Sequence, residues 1–474
     1  QANFEKIPGS PIAYWVSEKI IKIFSYDLIK NISDAKQGIA TGNNDYFLRE
    51  WHELSIRKIS FHNKKTKWYP YRKGGTNRKW YGNFSLVVNF ENDGFEIKNY
   101  KDENGKLKSR PQNLNYQFKE GLTWSLTNSG TFSLRYAPEN FIFDVNGMTL
   151  FPYNSNDFFY ILGVFNSKVG NAILKIINPT MAFQSGDIES VPFIRSSINT
   201  SFVEQNISFS KADWDSRETS WDFETHPLIQ ADQDSLQSAY QVWESKVMHD
   251  FYQLHANETE LNRIFIEIYG LQEELTPEVK LKDITILQEE LDPKVFGEAT
   301  EPVGALPIKQ DVVMRQLISY LMGCLMGRYR LDKPGLHIAH PNPTSEEIVA
   351  YAYNNHTVAI DEDGIIPLMD SSCSFADNAL IRLKFLLEVQ WGDDKQMVET
   401  INFMEAALGK DLETFLVKDF WKDHCSRYQK RPIYWLFASP KGAFQVIAYM
   451  HRMNKYTIDK IRSKYLLVHI RNLE

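Results

Sequence analysis

The spacing of apolar positions changes along the chain and divides it into regions. Residues 1–35 carry apolar side chains at helical intervals, which predicts a helical lead-in. Residues 36–155 carry short apolar or alternating runs instead, such as 84–88, and turn signals such as Asn104-Gly105 separate them. This second pattern predicts a β-rich domain with long polar loops.

Helical spacing dominates the later part of the chain. The pattern predicts one helix over 158–177 and a helix from about 236 to 254. Asn257 and Glu260 predict a capping box for a second helix that ends at Gly270. Further helical patterns cover residues 312–327, 377–391, 396–408, 411–425 and 457–472.

The two tryptophans of residues 213–223 suggest an anchor. This stretch is acidic and has no clear helical period, so we expect it to lie extended. Trp214 and Trp221 would then pack it onto a neighbouring part of the protein.

Taken together, the pattern predicts an α+β fold. A β-rich domain (36–200) is followed by an acidic helical linker (201–300) and a mainly helical C-terminal domain (301–474). With 43% hydrophobic and 24% charged residues in 474, the chain can bury sizeable cores. The most apolar stretch, 312–326, is short and is interrupted by Arg315, so no membrane span is expected.

Three cysteines lie about fifty residues apart, at 324, 373 and 425, and match neither a disulfide framework nor a metal motif. We expect three small, buried or half-buried thiols in a cytoplasmic protein. No signal peptide opens the chain, and Gln1 in place of methionine suggests a fragment or a processed product.

Charge is distributed unevenly. The net charge of the chain is -7, yet residues 51–120 hold 15 basic and 7 acidic side chains, whereas residues 201–300 hold 7 basic and 21 acidic ones. A local excess of +8 beside a local excess of -14 indicates two surfaces with different partners.

The positive charge is densest in a basic aromatic stretch, residues 64–81, which interleaves Lys and Arg with Trp and Tyr. Cations of this density neutralise phosphates, which supplies most of the sequence-independent affinity for nucleic acid. Gly74-Gly75 would let backbone N–H groups approach a phosphate. The alternative is a solvated charged loop whose aromatic rings turn into the core.

Two polar clusters carry weaker signals. Residues 38–45 form a loop bracketed by glycines, and its Thr, Asn and Asp side chains suit hydrogen bonds to bases or phosphates. A turn with a helix cap explains them equally well. Residues 178–188 have similar chemistry, but a structural junction is the slightly better interpretation.

Catalytic and metal motifs are missing from the sequence. It contains no metalloprotease, α/β-hydrolase, dinucleotide or P-loop signature. His337 and His340 lack a third ligand with suitable spacing, so a metal site is not expected there. Residues 361–364 resemble the start of a calcium loop, but no closing Glu follows, which favours a charged turn. An independent hydrolase is therefore disfavoured.

Several stretches together resemble one family. Residues 38–51 (GIATGNNDYFLREW), 67–83 (KWYPYRKGGTNRKWYGN), 178–193 (NPTMAFQSGDIESVPF) and 213–223 (DWDSRETSWDF) follow one another as in the PglX family. These are the adenine-specific DNA methyltransferases of BREX phage-exclusion systems. Residues 265–279, 318–336 and 431–444 are similar to the C-terminal region of the same family, so the resemblance covers nearly the whole chain.

The resemblance also implies what this sequence lacks. Family members have a Gly-rich S-adenosylmethionine motif and an Asn-Pro-Pro-Tyr tetrapeptide, which binds the amino group of a flipped adenine. Neither is present, since Asn178-Pro179 and Asn342-Pro343 are each followed by Thr. The chain is thus expected to be the C-terminal part, entered by a lead-in (1–35) from an absent catalytic domain. We expect no cofactor and no catalysis in this fragment; S-adenosylmethionine belongs to the full-length parent.

The residues and the resemblance lead to the same hypothesis: residues 36–200 read a short sequence of double-stranded DNA for host marking and phage defence. Base readout is assigned by chemistry to Arg and Gln side chains, because Arg suits guanine and Gln suits adenine. The predicted DNA contacts are Asn43, Asn44, Arg49, Lys64, Lys65, Lys67, Trp68, Tyr71, Arg72, Lys73, Arg78, Lys79, Trp80, Arg110, Arg135, Gln184 and Asp187.

The acidic region supports a rival hypothesis. Residues 201–300 and the C-terminal domain would form a protein-interaction module that docks other BREX subunits, because an acidic surface repels DNA and attracts basic partners. A phage inhibitor that mimics DNA would instead occupy the basic surface.

Overall fold

The computed structural model describes residues 16–61, 66–127, 131–392 and 394–473, and it confirms the predicted α+β class. The strands are β1 (Ser33–Lys36), β2 (Leu48–Glu50), β3 (Trp68–Arg72), β4 (Leu86–Asn89), β5 (Gly121–Thr123), β6 (Arg135–Ala137), β7 (Ile142–Phe143), β8 (Thr149–Pro152), β9 (Tyr351–Tyr353), β10 (His356–Val358), β11 (Ile365–Pro367), β12 (Tyr434–Ala438) and β13 (Gln445–Tyr449). The helices are α1 (Glu18–Ile23), α2 (Asn44–Phe47), α3 (Glu91–Lys98), α4 (Asp157–Asn166), α5 (Lys168–Ile177), α6 (Ser185–Glu189), α7 (Ser201–Asp215), α8 (Pro227–Gln230), α9 (Leu236–Tyr269), α10 (Gln310–Leu325), α11 (Ala379–Trp391), α12 (Asp394–Leu408), α13 (Leu412–Thr414), α14 (Phe420–Arg427), α15 (Thr457–Lys460) and α16 (Leu467–Leu473).

Two four-stranded sheets build the β-rich domain. One has the order β1-β8-β5-β6 and is antiparallel throughout; the other has the order β2-β4-β3-β7, in which only β3 and β7 run parallel. Alternation sets the register: Val88 faces Leu48 on one side and Tyr69 on the other. The apolar run at 84–88 therefore predicted a real strand, but β4 begins two residues later than the run and ends one residue later.

The helical layer behind the first sheet differs from its prediction. The single helix expected over 158–177 is two helices, α4 and α5, because Ser167 leaves the helical conformation and its side chain accepts the N–H of Gly170. A serine that caps the following helix ends the preceding one even when the apolar spacing continues. Both helices contribute to a core that also contains Trp124 and Phe265.

The extended conformation expected for residues 213–223 is wrong for their first part. Helix α7 continues to Asp215, so Trp214 projects from a helix. The anchoring role predicted for the two tryptophans is confirmed: Trp214 and Trp221 pack against a small cluster in the β-rich domain, around Tyr81 and Phe141.

One long helix connects the two main cores. Helix α9 has 34 residues, which spans roughly 50 Å at the rise of an α-helix. Its first turns, with Tyr240 and Trp243, pack in the C-terminal core, whereas Phe251 and the residues after it pack in the N-terminal core. The chain therefore has no free linker at this point.

The capping box predicted at Asn257 is wrong, although the helix end is right. Asn257 is buried within α9, and its Nδ2 donates to Oδ1 of Asn206 on α7 over 3.0 Å. The helix ends at Gly270, whose φ of 68° is the left-handed conformation that glycine tolerates.

The C-terminal domain is mainly helical, as predicted, but its sheets were not predicted. Strands β11, β13 and β12 form an antiparallel sheet and β9 pairs with β10. The five predicted helical stretches appear as α10, α11, α12, the α13–α14 region and the α15–α16 region. Within the last two, π-helical turns cover Phe415–Asp419 and Ile461–Leu466.

A short segment of the β-rich domain, Trp51 and His52, contacts both the acidic region and the C-terminal domain. Trp51 donates from Nε1 to the carbonyl oxygen of Thr219 (2.8 Å), and the guanidinium of Arg328 lies 5.4 Å from a Trp51 ring centre. His52 Nε2 donates to the carbonyl of Arg431 (3.2 Å), while the carbonyl of His52 accepts from His451 Nε2 (2.8 Å). These contacts fix the two domains against each other.

Other sequence expectations can be checked directly. Among the described residues no group of His, Cys, Asp and Glu could hold a metal ion, and His340 instead contacts Glu347 (2.8 Å). The three cysteines are free thiols, one buried and two half-buried. Asp361 accepts three backbone N–H groups in a charged turn. Of the helices in the described ranges, none combines the length and apolarity needed to cross a bilayer.

Candidate nucleic-acid interface

The basic aromatic stretch is divided by burial. Lys64 and Lys65 lie outside the described residues, whereas Lys67 and Lys73 are half-buried. Lys67 is 3.4 Å from Glu91. The remaining Lys and Arg of the stretch, Arg72, Arg78 and Lys79, are buried, and we name residues 72–80 the buried basic segment.

Arg78 is enclosed by acceptors from the acidic region. Its guanidinium contacts Asp213 at 2.7 Å and donates to the backbone carbonyls of Tyr81 and Ser210. Burial lowers the pKa of Arg78, and Asp213 opposes that change. Burial alone would raise the pKa of Asp213, but the guanidinium groups of Arg217 and Arg78 bring it well below the ordinary range. Arg78 is therefore part of an internal ion network.

The next two residues share one carboxylate. Lys79 Nζ lies 2.6 Å from Glu258 Oε2, and Trp80 Nε1 donates to Oε1 of the same Glu258 over 2.7 Å. All three side chains are buried. Lys79 and Trp80, both predicted to contact DNA, instead hold helix α9 against the β-rich domain.

Arg72 and Arg135 are buried between the sheets. Arg72 Nη2 donates to the carbonyl of Lys119 (2.6 Å), and Arg135 Nη1 donates to that of Arg78 (3.3 Å). Burial lowers the pKa of Arg72 to about 9 and that of Arg135 to about 10. Neither guanidinium can reach a phosphate or a guanine in this fold.

The aromatic residues of strand β3 are core residues too. Tyr71 donates from its hydroxyl to Asp144 (2.6 Å) and is fully buried, and Trp68 is buried beneath the guanidinium of Arg49. Gly75, expected to offer its N–H to a phosphate, donates it to Ser125 Oγ (3.0 Å). The DNA contacts predicted for Trp68 and Tyr71 are therefore corrected, because both aromatic rings belong to a buried strand.

Burial thus removes seven predicted contacts from any surface that DNA can reach. The reason is the same for all of them, because a side chain enclosed by protein cannot stack on a base or neutralise a phosphate. They are Trp68, Tyr71, Arg72, Arg78, Lys79, Trp80 and Arg135.

Only one residue of a second basic element, Arg110, was predicted from the sequence to contact DNA. Residues 100–110 form a hairpin in which Lys101 pairs with Leu107 and the backbone N–H of Lys108 donates to the carbonyl of Tyr100. We name it the basic hairpin. Its cationic side chains are Lys101, Lys106, Lys108 and Arg110, and all four are exposed. None of them forms an ion pair or donates a side-chain hydrogen bond to any residue in the described ranges.

The sequence did carry a signal for this hairpin. Asn104-Gly105 is a strong turn signal, and Lys106, Lys108 and Arg110 alternate with other residues. These three cations are exposed, whereas Ser109, between the last two of them, is buried. The ammonium of Lys108 lies 5.6 Å from the ring centre of Tyr100.

The glycine-bracketed loop at 38–45 holds the hairpin in place. Ala40 and Arg110 exchange both backbone hydrogen bonds, of 3.1 and 2.8 Å. Gly42 has a φ of 77°, and a Cβ there would lie 2.8 Å from the carbonyl carbon and oxygen of Lys108. The loop needs glycine at 42 for its backbone conformation and for this close approach.

The polar residues predicted in this loop have mixed roles. Asn43 caps α2 by accepting the N–H of Tyr46 (3.1 Å) and donates from Nδ2 to Tyr100. Arg49 donates to the carbonyls of Asp45 and Leu48, both at 2.6 Å. Asn44 is exposed and accepts from Thr41. The helix-cap interpretation of the loop is therefore confirmed for Asn43, whereas the DNA contact of the exposed Asn44 stays a prediction.

The third predicted cluster lies beside the same loop. Gln184 and Asp187 form a reciprocal capping box for α6, so the structural interpretation of Asp187 is supported. Gln37 Nε2 donates to the exposed Gln184 side chain over 3.1 Å. The loop at 37–45 therefore lies between Gln184 and Arg110, and joins them to the hairpin in one polar surface.

Comparison with known proteins finds similarity to two curated proteins. No family model matches the chain. The chain is 37% identical over 493 aligned positions to an adenine-specific methyltransferase PglX of Lacticaseibacillus casei (strain Zhang). It is 36% identical over 487 positions to an adenine-specific methyltransferase BrxX of Escherichia coli O9:H4 (strain HS). Each alignment covers 98% of this chain but only 39% of the relative's length. The resemblance found in the sequence motifs is confirmed: nearly the whole chain is similar to a part of the adenine-specific methyltransferases PglX and BrxX.

Proposed function

We propose that this chain is the double-stranded DNA recognition region of a BREX-type N6-adenine DNA methyltransferase, which serves host DNA marking and phage defence. The observation that carries the proposal is the basic hairpin, with four exposed cations that have no ion-pair partner among the described residues. Its neighbours on the polar surface, Asn44 and Gln184, offer amides suited to base edges.

The shape of the hairpin suits this role. A two-stranded β-ribbon fits the major groove of B-form DNA, which is about 12 Å wide. Lysines on such a ribbon neutralise phosphates and release their counterions. Lys73 and Lys67, which are half-buried, lie in the same domain and would add contacts at the margin of the surface.

We assign the methyl transfer itself, and the S-adenosylmethionine that it requires, to a part of the family that this chain does not span. The adenine-binding tetrapeptide and the methyl-donor motif are absent from its sequence. In this proposal the chain selects the site, and a catalytic domain modifies the adenine extruded from the helix.

Fluorescence anisotropy with a labelled duplex tests the proposal. We expect the chain to bind DNA at low salt and to lose affinity steeply as salt increases. Replacing Lys106, Lys108 and Arg110 with Ala should weaken binding by about 10- to 100-fold, because phosphate contacts are lost. Each lost contact should also reduce the slope of log K against log salt by about 0.9.

A matched variant provides the control. Lys384, Lys395 and Lys441 are exposed lysines of the C-terminal domain, and changing all three to Ala removes the same charge. DNA affinity should stay within about twofold of wild type in that control. Equal losses in the two triple variants would show that net charge and not the hairpin governs binding.

A partner that binds the basic hairpin would compete with duplex DNA. A phage inhibitor that mimics the charge of DNA would bind the basic hairpin and displace the duplex. Simultaneous binding of such an inhibitor and DNA would contradict this part of the proposal. Other BREX subunits would then dock elsewhere on the chain.

A further inference from the structure

A cavity lies where the acidic region meets the C-terminal domain. Its lining differs from the basic hairpin in charge and composition. Its volume is about 660 Å³, within the range of pockets that hold small ligands or side chains. Helices α7, α9 and α10 and the segment 221–230 line it.

Aromatic rings form part of its wall. Trp221 and Trp243 line the cavity together with Phe209. Trp243 is 8% exposed, and Trp221 is held from another side by Phe61, at a ring distance of 5.0 Å. Fixed indole faces attract cations through their quadrupole, most strongly when the cation is partly desolvated.

Carboxylates surround these rings. Asp215 and Asp222 contact Lys211, which also lines the cavity. The side chains of Glu224 and Asp250 have no hydrogen bond or ion pair with any residue in the described part of the chain, although Lys246 lies one turn before Asp250 on α9. Burial raises the pKa of Asp250. Two uncommitted carboxylates thus face a cavity in a region whose net charge is -14.

The deepest polar group in the wall is a histidine. His226 is 3% exposed, and its Nδ1 accepts the N–H of Leu228 over 3.3 Å. The ring is therefore neutral with its proton on Nε2, and burial lowers the pKa of His226 to about 3. Within the described residues Nε2 has no hydrogen-bond partner, so it is a donor that a ligand carbonyl can use.

We propose that this cavity binds an arginine-bearing peptide segment of a partner protein. The guanidinium would lie against the tryptophans and reach Glu224 and Asp250, and a peptide carbonyl would accept from His226 Nε2. Guanidinium stacks on aromatic faces and pairs with carboxylates in a planar geometry, which makes arginine a better fit than lysine. DNA is disfavoured as occupant because the surrounding carboxylates repel phosphates.

Calorimetric titration with a blocked tripeptide, acetyl-Gly-Arg-Gly-amide, tests this proposal. The tripeptide in which citrulline replaces arginine has the same shape without the charge, and we expect it to bind at least tenfold more weakly. The double variant D250N/E224Q should also weaken binding of the arginine peptide at least tenfold. Glu260→Gln together with Glu267→Gln, on the exposed face of α9, removes the same charge outside the cavity and should leave binding unchanged.

Argininamide separates a peptide site from a site for a free guanidinium compound. It lacks the flanking peptide carbonyls, so the proposal predicts that it binds more weakly than the tripeptide. Equal affinity for argininamide, equal affinity for the citrulline peptide, or an unaltered affinity in D250N/E224Q would each overturn the proposal. The assay contains no DNA, so its outcome is independent of the proposed DNA recognition.

Discussion

The buried basic segment and the basic hairpin carry four Lys or Arg side chains each, yet the fold uses them in opposite ways. In the buried segment, residues 72–80, three of the four cations are enclosed and two meet carboxylates of the acidic region. In the hairpin, residues 100–110, all four are exposed. Density of positive charge alone does not distinguish an internal ion network from a binding surface.

Neighbouring residues make the difference. Trp80 and Tyr71 bring apolar area that favours burial, and Asp213 and Glu258 arrive from distant positions to neutralise the cations that are buried with them. The third enclosed cation, Arg72, has no carboxylate partner and donates to the backbone carbonyl of Lys119 instead, because a buried charge needs hydrogen-bond partners. The hairpin has Asp, Glu, Asn and Gly between its lysines, so nothing draws it inward.

The largest expected effect concerns stability in the buried segment. Lys79→Met leaves the carboxylate of Glu258 buried without its cation, and we expect a loss of about 3–5 kcal/mol in the free energy of unfolding. Urea denaturation followed by circular dichroism measures it. Adding Glu258→Gln to the variant should recover part of the loss, and a destabilisation below about 1 kcal/mol for Lys79→Met would contradict the assignment.

Acid should weaken the folded protein without affecting the hairpin. Burial lowers the pKa of His52 to about 3 and that of His451 to about 4, and it lowers the pKa of His424 further. The unfolded chain therefore binds more protons below its ordinary histidine pKa of about 6.5, so stability is lost as pH falls below that value.

Relative to pH 7.5, this linkage amounts at pH 5.5 to about 1.4 kcal/mol for each of the three histidines, or about 4 kcal/mol in total. Urea midpoints at the two pH values measure the change. DNA affinity of the folded protein should stay constant, because residues 100–110 of the hairpin contain no histidine. Unchanged stability at pH 5.5 would exclude neutral histidines at the domain junction.

A pair of glycines tests whether the loop at 38–45 positions the hairpin. Gly42 and Gly105 both have a φ of 77°, but an added Cβ meets the backbone of Lys108 only at Gly42. Gly42→Ala should cost about 2 kcal/mol and weaken DNA binding. Gly105→Ala should lower the free energy of unfolding only by the backbone strain, about 1 kcal/mol, because no atom lies within 4 Å of the added Cβ. Melting curves and anisotropy compare them, and equal effects would mean that the close approach is unimportant.

The smallest expected effect is on the hairpin itself. Lys106→Met removes an exposed cation without a partner among the described residues, so the free energy of unfolding should change by less than about 0.5 kcal/mol. The same substitution at Lys79 is the counterpart in the buried segment. A large destabilisation from Lys106→Met would indicate an ion network at the hairpin as well.

Much of the fold follows from local patterns, because apolar spacing and turn residues act over short distances. Helices α10, α11 and α12, the end of α9 at Gly270 and the strand at 86–89 were all predictable in this way. The break at Ser167 and the continuity of α9 through Asn257 were not. The first depends on a local cap that competes with apolar spacing, and the second on a buried contact with Asn206.

The candidate site was harder to predict than the fold. Whether Lys79 faces solvent depends on Glu258, which is 179 residues away, and no local pattern contains that information. Asn104-Gly105 and the alternating lysines after it did mark the hairpin, but the denser charge at 64–81 concealed the signal. The family motifs, by contrast, were recognisable from the sequence.

Lysine footprinting tests the central comparison most directly. The folded chain is acetylated briefly, with and without duplex DNA, and modification of each lysine is measured by mass spectrometry. The account predicts that Lys101, Lys106 and Lys108 react rapidly in the free protein and are protected by DNA, while Lys79 is unreactive in both samples. Rapid reaction of Lys79 with protection by DNA, and hairpin lysines that DNA leaves unprotected, would contradict it.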